Sequence, residues 1–159
     1  MGIDIRRATR DQSNVLTTIA HAAKRHWGYP ERWIDAWKDV LTITADYIST
    51  NEVYVAMEGE EAVGFYAVVR GGEDGRVVLD HMWVLPGHIG AGVGREMFNH
   101  SAETALSLSA TDLEIESDPN AEGFYLRMGA RRAGEVVSEL EGKPRSLPRL
   151  VFEIKPSGY

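Results

Sequence analysis

The chain has 159 residues and carries 24 acidic against 17 basic side chains, a formal net charge of -7 at pH 7. Hydrophobic residues make up 43% and charged residues 26%, close to the average of folded domains, which excludes a largely disordered chain. The acidic balance disfavours binding to a nucleic-acid phosphate backbone, and the absence of cysteine excludes disulfides, thiolate metal sites and a cysteine nucleophile.

The apolar runs and the N-terminus bear on where the protein works. No apolar run approaches the roughly 20 residues that span a bilayer, and the N-terminus lacks the apolar stretch of a secretory signal. The length suits one domain of ordinary size. We therefore expect a single cytoplasmic domain over residues 1–159, with neither a membrane nor a nucleic acid as partner.

The N-terminal part predicts a strand followed by two helices. Residues 3–8 alternate between apolar and polar side chains, which is typical of a strand. Helical spacing follows, with an expected apolar face at Val15, Leu16, Ile19, Ala20 and Ala23. Glycine and proline in residues 26–30 break this helix. A second helix is predicted from Pro30, with an apolar face at Trp33, Ile34, Trp37, Val40 and Leu41.

The rest of the chain predicts six further strands and two further helices. The strands are expected at residues 51–57, 62–69, 76–84, 113–116, 131–140 and 147–155, and the helices at about 92–108 and 118–129. Residues 71–75 form a glycine-rich loop in this prediction. Residues 143–149 form a basic loop that either lies in solvent or reaches a phosphate or an acidic substrate. The order of elements predicts a mixed α/β fold.

The strongest local signal is a glycine-rich turn between the strand at 76–84 and the helix that follows. Gly90, Gly92 and Gly94 let the backbone approach a bulky anion without interference from a Cβ atom. The helix adds unpaired N–H groups and the positive end of its dipole. These features predict a phosphate-binding turn, and the alternative is a turn that only connects the strand to the helix.

Two better-known phosphate motifs do not fit this turn. A P-loop requires lysine and then serine or threonine after its last glycine, whereas Arg95 and Glu96 follow here. The dinucleotide fingerprint requires a glycine three residues after Gly92, and that position is Arg95. An enzyme that binds another nucleotide is therefore disfavoured.

The turn resembles the coenzyme motif of the GNAT superfamily of acyl-CoA N-acyltransferases. Val84-Leu85-Pro86 matches the end of the family's strand, and residues 89–94 match its [R/Q]-x-x-G-x-G motif except that Ile89 replaces arginine or glutamine. A second family motif, N-x-x-A-x-x-[FL]-Y-x-x-x-G-[FA], resembles residues 118–130. The residues in register are Ala121, Phe124, Tyr125 and Gly129, with Asp118 at the asparagine position. Two motifs in the right order are far more specific than either alone.

The resemblance implies a fold and an activity. The fold is a single GNAT-like α/β domain with a mixed, mostly antiparallel sheet flanked by helices, which splays open between the strand ending at Val84 and the strand beginning at Leu113. The activity is transfer of an acetyl group from acetyl-CoA, a co-substrate, to a primary amine of a small molecule or peptide by direct attack. Dimers are common in the family, so a homodimer is compatible with the resemblance.

The resemblance also implies which residues contact the coenzyme. The implied coenzyme-binding residues are Met82, Trp83, Val84, Ile89, Gly90, Ala91, Gly92, Val93, Gly94, Arg95, Asn120 and Tyr125. Backbone amides from Gly90 to Arg95 would hold the pyrophosphate even though Ile89 lacks the usual polar side chain. Tyr125 would lie near the coenzyme sulfur and protonate or stabilise the departing thiolate; its alternative role is that of a core tyrosine.

The base that deprotonates the amine is expected on the strand at 76–84. Alternation places Val78, Asp80, Met82 and Val84 on one face, and His81 and Trp83 on the other. Several family members carry their base on this strand where Asp80 stands, and Asp80 is the first candidate, acting directly or through a water. Its alternative role is an ion pair or cap. Glu116 is the second candidate, and His81 is interpreted as a structural histidine.

The acceptor side of the site is expected near the first two helices, by the same resemblance. His26, Trp27 and Tyr29 lie in the break between those helices and are the candidates for substrate binding. They suit a cationic or aromatic amine. Trp33 and Trp37 are at helical spacing and are interpreted as core.

Two further expectations concern a metal site and the main alternative to an enzyme. Asp80 and His81 have no third ligand at a recognisable spacing, so no metal is predicted. The main alternative to an enzyme is a domain of the same fold that binds or senses acyl-CoA without turnover.

Overall fold

The computed structural model describes residues 2–71 and 74–154. Two single-turn 3-10 helices span Arg10–Gln12 and Pro86–His88. The strands are β1 (Asp4–Arg7), β2 (Glu52–Glu58), β3 (Glu61–Gly71), β4 (Arg76–Val84), β5 (Asp112–Glu116), β6 (Arg131–Leu140) and β7 (Lys143–Glu153). The α-helices are α1 (Ser13–His26), α2 (Glu31–Ala36), α3 (Ala45–Thr50), α4 (Val93–Ser107) and α5 (Glu122–Arg127). Lys155 of the last predicted strand and residues 72–73 of the predicted loop lie outside the described residues.

The strands form one mixed sheet with the order β1-β2-β3-β4-β5-β7-β6. The β1–β2, β5–β7 and β6–β7 pairs are antiparallel, whereas β4 and β5 are parallel. A parallel pair requires a long connection, and α4 lies in the segment that connects these two strands. The predicted α/β fold with a mixed sheet is confirmed. The expected opening of the sheet beyond the β4–β5 pair stays a prediction.

The described residues form two compact units. The first comprises residues 2–67 and 81–100, and the second comprises 68–71, 74–80 and 101–154. Strands β3 and β4 each contribute residues to both units. The expectation of a single domain over residues 1–159 stays a prediction.

The core of the first unit is built on the apolar face of α1. Leu16, Ile19 and Ala20 are fully buried there, as their helical spacing predicted. Val15 was expected on the same face but is 40% exposed, because it lies one residue off the stripe that faces the core. The other members of the cluster are Ala8, Leu41, Ile43, Ile48, Val53, Val55, Met57, Phe65 and Ala67.

The second predicted helix is shorter than expected, and a further helix follows it. Helix α2 ends at Ala36, and the chain then turns, which leaves Val40 68% exposed instead of in the core. Helix α3 was not predicted, because six residues are too few to show a helical period. Its local signal is Thr44, whose side chain accepts a hydrogen bond from the Tyr47 N–H at 3.0 Å.

The second unit also departs from the sequence prediction at two places. Helix α5 begins at Glu122 instead of near 118, because the Asp118 carboxylate accepts a hydrogen bond from the Asn120 N–H at 2.8 Å and forms a turn. The basic segment 143–149 is part of β7 and not a loop. Glu141 and Gly142 form the whole connection, and both have positive φ (54° and 74°), as a two-residue hairpin turn requires.

Strand β3 approaches the end of β4 closely at Gly64. A methyl group at this position would lie 2.8 Å from the Trp83 carbonyl oxygen and 3.1 Å from the Met97 side chain. The adjacent Leu85 N–H donates to the Val63 carbonyl at 2.8 Å. Only glycine allows the two backbones to lie at this separation.

Gly64→Ala is therefore expected to destabilise the protein by about 1–3 kcal/mol, the usual cost of overpacking a buried site. Gly71→Ala in the same strand is the matched control, because its added methyl would meet only the Val78 side chain at 3.9 Å. Urea denaturation of both variants measures the difference. Equal midpoints for the two variants would contradict the close approach.

Candidate active site

Strand β4 presents two distinct faces, as its alternation predicted. Val77, Leu79 and His81 are buried, whereas Asp80 is exposed. The strand places the Asp80 carboxylate on the face opposite the core. This location is compatible with a base that exchanges protons with water.

His81 makes a defined hydrogen bond on the core face. The indole N–H of Trp83 donates to its Nδ1 at 2.9 Å. Because an indole can only donate, Nδ1 must be the unprotonated nitrogen, and the proton of the neutral ring is on Nε2. The rings of Tyr47 and Phe65 pack against His81 at 5.8 and 6.0 Å. These contacts agree with its interpretation as a structural histidine.

The glycine-rich turn depends on two left-handed residues. Gly90 and Gly92 both have φ of +86°, a region where a side chain costs roughly 1–2 kcal/mol. A Cβ atom at either position would meet no atom within 4 Å, so the outer side of the turn is open. Gly94 differs, because it is the second residue of α4.

Unpaired backbone amides follow these glycines at the start of α4. The Glu96 N–H donates to the Gly92 carbonyl at 3.1 Å. The N–H groups of Val93, Gly94 and Arg95 lie before this bond, in the first turn, where an α-helix offers no acceptor of its own. The Val93 side chain is buried and anchors the helix start, and Arg95 is exposed. This geometry suits an anion held by backbone amides.

The structure shows the exposure of one side chain of the turn and a long-range contact of another, neither of which the sequence revealed. Ile89, at the position where the resemblance expects arginine or glutamine, is 50% exposed. His88 lies 3.4 Å from a Glu61 carboxylate oxygen and 3.8 Å from one of Glu58, which brings the turn to the β2–β3 hairpin. No motif around His88 could have predicted this contact, because its partners are nearly 30 residues away.

Tyr125 is buried on the short helix α5, with only 6% of its surface exposed. Burial raises the pKa of its phenol well above the usual 10, and the negative charge of Asp118 raises it further. The hydroxyl therefore keeps its proton throughout the neutral range. A group in this state donates hydrogen bonds and does not serve as a base.

The remaining candidates of the second unit are exposed. The Asn120 side-chain amide donates to Asp118 at 2.9 Å, so part of its hydrogen-bonding capacity is used locally. Glu116 is at the end of β5, paired in register with Arg149. The coenzyme contact expected of Asn120 stays a prediction, as does the role of Glu116 as the second candidate base.

The predicted acceptor residues fall into two groups. The rings of His26 and Trp27 lie 5.4 Å apart and are both exposed at the end of α1. Tyr29 instead packs against Trp33 at 5.7 Å and Trp37 at 5.1 Å. Tyr29 therefore shares its environment with the tryptophans that were interpreted as core.

The two compact units divide the candidate residues between them. The first unit holds the glycine-rich turn, Met82 to Val84 and the acceptor candidates, and the second holds Asp80, Asn120 and Tyr125. In the described ranges 2–71 and 74–154, no group of three or more His, Asp or Glu side chains is placed to hold a metal ion. Within these ranges no helix has the length and apolar character needed to cross a membrane.

Comparison with known proteins supports the family resemblance. A family model described as an acetyltransferase (GNAT) domain matches residues 49–129, just over half of the chain. The peptidyl-lysine N-acetyltransferase YjaB of Salmonella typhimurium is 27% identical over 162 residues, covering 96% of this chain and 99% of that protein.

Solved structures share the fold over nearly the full length. A GCN5-related N-acetyltransferase from Rhodopseudomonas palustris has a TM-score of 0.81 at 19% identity, with 96% of each chain covered. The Salmonella typhimurium protein yncA, solved with its cofactor acetyl-CoA, has a TM-score of 0.71 at 17% identity, with 100% of this chain and 98% of that chain covered. The chain therefore belongs to the GNAT family of acetyltransferases.

Proposed function

We propose that this protein transfers the acetyl group of acetyl-CoA to a primary amine by direct attack. The observation that carries the proposal is the turn at Gly90 and Gly92, whose left-handed backbone leads into the unpaired amides of α4. Family membership supplies the reaction class. The structural relative yncA, named with acetyl-CoA, supports the same co-substrate.

The turn holds the coenzyme pyrophosphate mainly through its backbone. The amides of Val93, Gly94 and Arg95 and the positive end of the α4 dipole favour a negative group. Ile89 contributes no charge, so backbone amides carry a larger share of the binding than the family motif implies. The exposed Arg95 guanidinium adds a positive charge in the first turn.

The reaction forms an N–C bond and breaks the thioester C–S bond. The acceptor arrives as an ammonium ion and must lose a proton before its nitrogen can attack the carbonyl carbon. Asp80 accepts that proton, directly or through a water. The nitrogen releases a second proton to solvent as the amide forms, and the electron pair of the C–S bond leaves with the sulfur as a thiolate.

Tyr125 stabilises the departing thiolate by donating a hydrogen bond. A thiol has a pKa of roughly 8.5, whereas burial raises that of Tyr125 above the usual 10 of a phenol. Full proton transfer from Tyr125 to the thiolate would therefore be unfavourable. The strong interaction is a hydrogen bond to a charged acceptor, and solvent supplies the proton that yields the free thiol.

The first acceptor to test is a lysine side chain in a peptide. The relative from Salmonella typhimurium is named as a peptidyl-lysine N-acetyltransferase and aligns over 96% of this chain. A lysine ε-amine is a primary amine on a flexible stem, which suits direct attack.

Gly92→Ala is expected to weaken acetyl-CoA binding about tenfold, because an alanine at φ +86° costs roughly 1–2 kcal/mol, so the free turn relaxes to another conformation and binding must restore the strained one. Gly87→Ala in the same segment is the matched control, since its φ is not positive and its added methyl meets no atom within 4 Å. Calorimetry with acetyl-CoA measures both. Equal dissociation constants for the two variants would contradict the backbone site, and tight binding of ATP with none of acetyl-CoA would overturn the proposed function.

Tyr125→Phe is expected to lower kcat roughly 10- to 100-fold, the value of a hydrogen bond to a charged group, with little change in the KM for acetyl-CoA. Thiol release with a peptide lysine measures the rate. Because the pKa of Tyr125 is raised, ionisation of this residue should not reduce the wild-type rate between pH 7 and about 10. A variant as fast as wild type would exclude this role. Coenzyme binding without thiol release from any amine would favour a binding domain instead.

Asp80→Asn is expected to lower kcat about 100-fold, with the largest loss at low pH, where more of the amine is protonated. Glu116→Gln is the matched comparison, since both side chains are exposed carboxylates on neighbouring strands. The same thiol-release assay from pH 6 to 9 measures both variants. A greater loss in Glu116→Gln than in Asp80→Asn would assign the base to Glu116.

A further inference from the structure

Helix α4 is joined to strand β3 by a polar pair in the first unit. A hydrogen bond of 2.6 Å links the Tyr66 hydroxyl to Nδ1 of His100. Tyr66 is fully buried, and His100 is half-buried on the helix. Separating two hydrogen-bonded groups in a protein interior is costly. The pair therefore favours the one placement of α4 on the strand that keeps these two atoms together.

A second contact joins the same face of the helix to the same face of the strand. Gly64 and Tyr66 are two residues apart on β3 and share a face. Met97 and His100 are three residues apart on α4 and are neighbours on its surface. A methyl group added to Gly64 would lie 3.1 Å from the Met97 side chain, so the helix approaches the strand closely there. The two contacts together fix the rotation of α4 about its axis and its position along β3.

The Tyr66 side of this pair is itself supported by its neighbours on the sheet. The Tyr54 ring stacks on that of Tyr66, with centroids 5.4 Å apart and an interplanar angle of 14°, and lies 4.8 Å from the His100 ring. The Arg7 guanidinium lies 5.7 Å from the Tyr54 centroid and donates to the Val53 carbonyl at 2.7 Å. Strands β1 and β2 thus hold the tyrosine in place before it meets the helix.

The backbone amides of the proposed coenzyme site belong to the same helix. Val93, Gly94 and Arg95 form its first turn, and Met97 and His100 follow in the next turns. His100 lies only about 10 Å along the axis from the helix start, at 1.5 Å per residue. A helix held by its own hydrogen bonds moves as a unit over this distance. The placement of His100 therefore determines where the first-turn amides point.

We infer that Tyr66 and His100 are positioning residues, whose hydrogen bond holds the first turn of α4 in the orientation that binds the coenzyme pyrophosphate. The inference rests on the proposed function, in which the amides of Val93, Gly94 and Arg95 hold that group. Without the bond, α4 populates further orientations, and binding must restore the competent one. The apparent dissociation constant rises as the competent fraction falls.

Removing the tyrosine hydroxyl tests this inference directly. Tyr66→Phe keeps the ring and its stacking, and it is expected to weaken acetyl-CoA binding about fivefold, the worth of one hydrogen bond. Calorimetry measures the dissociation constant. Tyr54→Phe is the matched control, because it removes the same group from the adjacent ring and leaves the Tyr66–His100 bond in place, so it should bind as wild type does. Equal dissociation constants for Tyr66→Phe and Tyr54→Phe would overturn the inference.

A rescue experiment tests the histidine side of the pair. Asparagine places an amide oxygen or nitrogen near the position of Nδ1 and can accept or donate, so His100→Asn should bind acetyl-CoA nearly as wild type does. His100→Leu cannot make the bond and should bind about fivefold more weakly. The double variant Tyr66→Phe/His100→Leu should be no weaker than either single variant, because both remove one interaction. Failure of His100→Asn to rescue binding, or additive losses in the double variant, would contradict the pairing.

A shortened acyl donor separates positioning of the first turn from general damage to the fold. S-acetylpantetheine carries the same thioester as acetyl-CoA but lacks the pyrophosphate. In Tyr66→Phe, kcat/KM for acetyl-CoA should fall about fivefold, with kcat at saturating acetyl-CoA unchanged. The value for S-acetylpantetheine should stay at the wild-type level. An equal loss with both donors would show that the pair acts on the whole domain and not on the pyrophosphate site.

The outcomes distinguish this inference from the proposed function. If wild type does not bind acetyl-CoA, the proposed function fails. If wild type binds it and Tyr66→Phe binds it equally well, only the positioning role fails. If Tyr66→Phe does not fold, the comparison of His100→Asn with His100→Leu decides, because His100 is only half-buried.

Discussion

The close approach of two backbones at Gly64 is the constraint on which the candidate site depends. Gly64 has no Cβ, and a methyl group added to it would lie only 2.8 Å from the Trp83 carbonyl oxygen. The next amide, that of Leu85, then bonds to Val63. The end of β4 is thereby placed against β3, and the turn that follows begins from a fixed point.

In the proposed function, the turn that begins there binds the coenzyme through backbone geometry more than through charged side chains. Gly90 and Gly92 adopt a backbone conformation that other residues reach only with strain. His88 links the turn to Glu58 and Glu61, so the amides of α4 are presented by a supported loop. A half-exposed Ile89 fits this arrangement, because backbone amides do not depend on its side chain.

The aromatic residues near α1 show how a tertiary contact changes the meaning of a sequence pattern. The sequence predicts Tyr29 as an acceptor contact and Trp37 as core, yet the structure places the Lys24 ammonium near both rings, at 5.0 and 4.3 Å from their centroids. Trp83, from a distant strand, completes the enclosure. Tyr29 therefore already contacts a cation of the chain itself.

The sequence by itself determined the features that arise from local backbone chemistry. The bounds of β4 and its two faces follow from the alternation around Asp80, and the glycine-rich turn follows from the conformation that Gly90 and Gly92 require. The tertiary structure decided the features whose partners are far apart in the chain. The burial that raises the pKa of Tyr125 and the enclosure of Lys24 both result from elements that meet only on folding, and no short-range pattern encodes such meetings.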